Sequence, residues 1–148
     1  MRAYGLGVPN LSAMNELIET RQATIERTAD NVLEVRYKPG QTLDPAGLSD
    51  VLAERERLCK GQGGQAVLAV IPPDADFQML LMTHDHYKGR PVVDCTRFLA
   101  IAATSVMHER MASLYFAYFP QNFRTGIFSD EAEAREWLKT SMSEVSLS

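Results

Sequence analysis

The chain has 148 residues, 45% of them apolar and 23% charged, and a formal net charge of −4. That length suits one domain with a core large enough to stand without disulfides or metals, and the composition excludes a disordered chain. The acidic balance argues against nucleic acid, whose binders carry a basic face.

No apolar run approaches the roughly 18 residues of a membrane span, and Met1–Pro9 has no apolar stretch fit for a signal peptide, so a cytoplasmic protein is expected. Cys59 and Cys95 lie far apart, outside any CxxC spacing, and are read as reduced and partly buried. The seven methionines suit plastic core filling or a malleable apolar pocket.

Residues 1–20 read as an N-terminal arm or short helix, because Leu11, Met14, Leu17 and Ile18 recur at helical spacing. Arg21 opens the single domain, which runs to Met142, with a polar tail over 143–148. Arg21–Thr28 and Val32–Tyr37 alternate in polarity and predict a hairpin closed at Asp30-Asn31. Asp44-Pro45 is a helix start, a cap followed by proline at the first helical position. Leu48, Val51, Leu52, Arg55 and Leu58-Cys59 continue one face toward Gly61. Ala66–Ile71 is an unbroken apolar run, as in a strand buried on both sides. From Asp74 to His84, Phe77, Leu80, Leu81 and His84 stand at helical spacing. Phe98–Ala103 is a second buried strand, and Thr104 or Ser105 caps a helix reaching Phe119. Thr125–Phe128 is a short strand. Ser129 then caps a last helix whose buried face is Ala134, Trp137 and Leu138, with the polar stretch beginning at Ser141. A hairpin followed by alternating strands and helices predicts an α/β fold: a mixed sheet with parallel crossovers.

The C-terminal third carries distinctive residues: Phe98–Ala103, then His108-Glu109-Arg110-Met111-Ala112, Tyr118-Phe119-Pro120, Ile127-Phe128-Ser129-Asp130-Glu131 and Ala134-Arg135-Glu136-Trp137-Leu138. This pattern resembles the SpoIIAA-like proteins, small bacterial domains of the STAS and CRAL-TRIO type. The resemblance implies a SpoIIAA-like mixed sheet, an initial hairpin then β-α repeats, with helices packed mainly on one face. STAS relatives that antagonise anti-sigma factors carry a phosphorylatable Ser or Thr in a loop after a central strand. The matching loop here, Pro72-Pro73-Asp74-Ala75-Asp76, has two carboxylates and no hydroxyl, so a phosphorylation switch is not expected there.

Several clusters bear on chemistry. His84 and His86 share a face only in extended structure; they are weak metal candidates, for which Asp94 or Cys95 would have to complete the site, and a polar helix end is the plainer reading. His108-Glu109 begins like a zincin motif, but Ala112 stands where the second histidine belongs. His108, Glu109 and Arg110 are therefore read as a solvated or salt-bridged face. Cys95 near Arg97 has no fixed base to make it a nucleophile. Ser105 lacks the Gly-x-Ser-x-Gly flanks of a nucleophile elbow, and Gly61-Gln62-Gly63-Gly64 precedes a strand, not the helix N-terminus a phosphate needs.

Aromatic residues crowd the helix that begins near Ser105: Tyr115 and Tyr118 lie three apart, as do Phe116 and Phe119, so two neighbouring faces are aromatic. Met107, Met111, Tyr115, Tyr118, Phe119 and Phe123 are the ligand or interface candidates. The sequence thus predicts a non-enzymatic binding or regulatory module, homo-oligomeric through this helix, with no cofactor. Its partner is a protein or an apolar small molecule. A small apolar, lipid-like ligand carrier is the alternative, and a metal-dependent enzyme around His84 and His86 is the third reading.

Overall fold

The computed structural model describes residues 16–59 and 64–147. Strands β1 (Leu17–Glu19), β2 (Ala23–Arg27) and β3 (Val32–Tyr37) form an antiparallel meander. The predicted hairpin is β2–β3. Asn31 turns the chain with φ 66°, a left-handed conformation that Asn tolerates better than most residues. Thr28 locks the turn: its N–H donates to the Val32 carbonyl at 2.8 Å and its Oγ1 accepts from the Val32 N–H at 3.1 Å. Leu17–Glu19 is a strand and not the end of a helix, because Ile18 pairs with Ile25 across the ladder. The remainder of the predicted arm, residues 1–15, lies outside the described residues.

A two-residue strand, β4 (Thr42–Leu43), leads into α1 (Pro45–Cys59). Asp44 caps α1 as the sequence predicts, its Oδ1 accepting from the Gly47 N–H at 2.8 Å. Gln22 is buried against this helix start, donating to the Thr42 carbonyl at 3.0 Å and to Asp44 at 3.2 Å. A Cβ at position 47 would sit 1.7 Å from the Gln22 Oε1, so any larger residue would have to displace that buried amide.

Next come β5 (Gln65–Ile71), β6 (Asp76–Phe77), a 3-10 turn over Met79–Met82, a one-turn helix α2 (Val92–Cys95), and β7 (Thr96–Ala103). The helix expected from Asp74 to His84 does not form. Asp76 and Phe77 pair instead with Thr42 and Leu43, and the Gln78 N–H donates to the Leu43 carbonyl at 2.9 Å. Only a 3-10 turn is left after this ladder, with Met79 and Leu80 exposed. Helix α3 (Val106–Tyr118), strand β8 (Arg124–Phe128) and helix α4 (Glu131–Leu147) complete the chain. Ser105 caps α3, accepting from the His108 N–H at 3.4 Å. Asp130, rather than Ser129, accepts from the Glu133 N–H at 2.8 Å at the start of α4. The helix does not stop at Ser141 but runs to Leu147. That serine is buried, and the helix continues because Met142 and Val145 pack against the sheet.

The six-stranded sheet has the order β1-β2-β3-β5-β7-β8, antiparallel through β3 and parallel from β3 to β8. Strands β5 and β7 alternate between two cores, as the period of a strand requires. Val67 and Ile71 of β5, with Leu99 and Ile101 of β7, face a core shared with α1, α2, α3 and the 3-10 turn. Leu68 with Phe98, Ala100 and Ala102 face α4, through Ala134 and Leu138. Among the described residues, α1, α2 and α3 thus cover one face and α4 covers the other.

Cys59 and Cys95 are joined in a disulfide, their Cα atoms 6.0 Å apart, which overturns the expectation of reduced thiols. Cys59 ends α1 and Cys95 ends α2, and the two helices pack side by side. Folding brings together residues 36 apart in sequence, a proximity that spacing alone does not reveal.

Candidate ligand cavity

A cavity of about 130 Å³ lies between the sheet and the three-helix face. Its floor is the apolar side of the parallel strands, including Val35, Val67, Ala69 and Ile101. On α1, Leu48, Val51 and Arg55 stand at i, i+3 and i+7, so one stripe of the helix supplies one wall. On α3, His108, Ala112 and Tyr115 do the same for the opposite wall. Phe77, Leu81 and Met82 close a third side. Met82 and Met111 are only half-buried, and flexible thioethers there give the wall room to yield.

Two polar groups interrupt this apolar lining. Arg55 is 3% exposed, and its Nη2 donates to Thr96 Oγ1 at 2.8 Å, which passes its own proton to the Val92 carbonyl at 2.6 Å. The Arg55 Nε has no partner. His108 is 5% exposed, sits edge-on to Phe77 at 4.9 Å between ring centroids, and leaves Nδ1 without a partner. Buried polar atoms are nearly always satisfied, so two such orphans on one cavity are unusual. His108 is therefore not part of a solvated face; the helix turns it inward, while Arg110 is exposed.

Three phenols, Tyr37, Tyr87 and Tyr115, share the lining. Burial raises the pKa of Tyr37 and of Tyr87 above the usual phenol value, and the nearby Arg55 charge works against that shift in both. Both remain neutral hydroxyls at physiological pH. The cavity also holds one carboxylate, Asp44, already engaged as the α1 cap and by Arg21 at 3.6 Å.

The candidates named from the sequence divide between inside and outside. Met111 and Tyr115 line the cavity, and Phe119 and Phe123 pack into the adjoining core. Met107 and Tyr118 point outward, 67% and 71% exposed, sharing the outer stripe of α3 with Leu114. His84 and His86 lie with ring centroids 6.0 Å apart, but their segment serves as a clasp. The Tyr115 hydroxyl accepts from the His86 N–H and donates to the His84 carbonyl, both at 2.9 Å. Burial pushes this phenol up to about 12. His86 Nε2 meets the Leu81 carbonyl at 3.1 Å, and Cys95 is spent in the disulfide. Among the described residues, no three His, Cys, Asp or Glu side chains are grouped to hold a metal. The sequence places Arg55 on the buried face of its helix but does not reveal that, among the described residues, no carboxylate is hydrogen-bonded to it.

Among the described residues, no helix is long and apolar enough to cross a membrane. No family model matches the chain, and no curated protein matches it. One solved structure does, an uncharacterised protein of the DUF3478 family with a SpoIIAA-like fold from Shewanella loihica PV-4. It superposes with a TM-score of 0.56 at 17% identity, over 83% of this chain and 99% of that one. The antiparallel start, the parallel strands that follow and the helices packed on them are those of the SpoIIAA-like fold, which is the fold of this chain.

Proposed function

We propose that this chain is a non-enzymatic binding module that takes a small apolar molecule into the cavity between α1, α3 and the sheet. The observation that carries this reading is the cavity itself. It is apolar on most of its wall, set within the core of one face of the sheet, and bordered by half-buried methionines. Ligand sites of this kind are concave and apolar, with a few convergent polar groups. Native mass spectrometry of freshly purified protein checks it, with toluene titration as the second arm. A small non-covalent adduct, or a melting temperature that rises with toluene concentration as mass action requires, supports the reading. No adduct and no shift would remove it.

A second reading is favoured by the outer stripe of α3, where Val106, Met107, Leu114 and Tyr118 are more than half exposed. Large apolar side chains grouped on a surface mark contact sites, and we assign this one to a second copy of the chain. Light scattering after size exclusion should give a dimer, and Tyr118→Glu should return it to monomer. A wild-type monomer at high concentration discards the assignment.

A further inference from the structure

We infer that the cavity selects an apolar ligand bearing one negative charge, a small aromatic or branched monocarboxylate, and that Arg55 is the group that meets the carboxylate. This rests on the cavity being a ligand site, and it adds the chemistry of the ligand.

The argument starts from charge. Among the described residues, no carboxylate pairs with Arg55. Its hydrogen-bond partners, Thr96 Oγ1 and the Tyr87 hydroxyl, are both neutral. The acidic groups around it are committed elsewhere. Glu56, next in sequence, takes both Nε and Nη2 of Arg90 at 2.9 Å and accepts from the Val92 N–H at 3.3 Å. Asp44, on the cavity wall, caps α1 and accepts from Gln22. Glu56 feels the Arg55 charge through space but gives its oxygens to Arg90, and a guanidinium buried without a directly bonded carboxylate is a costly arrangement. An anion entering the cavity would supply what the fold leaves out.

Geometry and size narrow the class. A guanidinium offers a planar fork of donors that matches a carboxylate, and the unpartnered Nε is part of that fork. The Tyr87 hydroxyl lies near enough to feel the Arg55 charge, and it stays protonated, so it adds a second donor. The orphan Nδ1 of His108, on the α3 wall, is a further polar contact able to donate or accept. The volume of about 130 Å³ compares with a roughly 150 Å³ apolar cavity that holds benzene. It falls below the roughly 300–1,000 Å³ of drug-sized sites. One ring or a short branched chain fits; a long acyl chain does not.

Benzoate and toluene test this by calorimetric titration, since they share a ring and differ in the charge. Wild-type protein should bind benzoate about tenfold or more tightly than toluene. Arg55→Met should weaken benzoate by about tenfold to a hundredfold while toluene binding persists, because the apolar wall remains. Its melting temperature should not fall, since an apolar chain replaces an unpaired buried charge. Arg55→Lys, which keeps the charge and loses the fork, should recover part of the benzoate affinity and decides the matter if Arg55→Met fails to fold. Toluene binding as tightly as benzoate in the wild type overturns the anion assignment and leaves the cavity reading standing. Silence from both ligands overturns the cavity reading with it. Benzoate binding unchanged in Arg55→Met overturns the role of Arg55.

Discussion

The two faces of the sheet are built to different standards. On the α4 face, Leu68, Ala100, Ala134 and Leu138 are almost wholly buried, and the charges beside them form a closed set. Buried Glu34 takes Arg36 at 3.2 Å and also Arg135, while Glu131 takes two nitrogens of Arg36 at 3.1 and 2.7 Å and Arg135 at 2.7 Å. On the other face, three helices leave a cavity, and among the described residues the buried arginine there has no carboxylate hydrogen-bonded to it. Both faces rest on the same strands, so alternate residues of one segment serve opposite ends. The ligand site proposed above lies on the less completely packed of the two sides.

The largest expected effect comes from cutting into the closed face. Leu138→Ala should cost about 2–5 kcal/mol of stability by urea unfolding, as a fully buried leucine does when its neighbours cannot collapse. Leu48→Ala, on the half-buried cavity wall, should cost clearly less; equal losses would mean the two faces do not differ. Next is the disulfide, which fastens two helices of the open face. Cys95→Ser should cost about 2–4 kcal/mol under oxidising conditions, and reducing agent should lower the wild type to the same level. A smaller pair of effects should differ in sign. Ala100→Leu on the closed face should destabilise by about 1–3 kcal/mol through overpacking. Ala112→Leu should fill the cavity, stabilise by about 0.5–2 kcal/mol and exclude toluene. The same sign in thermal melts of both would break the contrast.

The smallest effect is electrostatic. Arg36, by hydrogen bond, and Arg135 hold the Glu131 carboxyl down at about 2, with burial acting the other way. The folded value lies below the unfolded one. The stabilisation is therefore whole above about pH 5 and is lost as pH falls toward the folded value. A third of the Glu131 side chain is exposed, so solvent screening keeps its worth below about 1 kcal/mol. Glu131→Gln should flatten the acid limb of the stability–pH curve and change little at neutral pH.

Strand period and caps made most of the architecture legible from residues alone. The apolar runs in β5 and β7 announced strands buried on both faces, and Asp44 and Ser105 announced their helices. Of the elements that escaped, two did so for opposite reasons. Phe77, Leu80, Leu81 and His84 have helical spacing, but a ladder to Thr42 and Leu43 outweighs a weak local preference. The continuation of α4 was visible, since Leu138, Met142 and Val145 stand at i, i+4 and i+7, yet the serines between them read as a tail. In the cavity, Met111 and Tyr115 were found because aromatic and sulfur side chains draw attention. His108 was missed because Glu109 and Arg110 beside it suggested solvent. Arg55 was placed on the correct face, but its lack of a partner is a property of three-dimensional surroundings that no spacing records.

The bond between Cys59 and Cys95 has one more consequence, a mechanical one. It turns the backbone between two residues 36 apart in sequence, including the central strand β5, into a covalent ring. Pulled from its two ends, the chain would yield about 120 Å less contour than its residue count implies, until a reductant opens the ring. A single cut within that ring would leave one molecule of unchanged mass save for a water, separating into two pieces only when the sulfurs part.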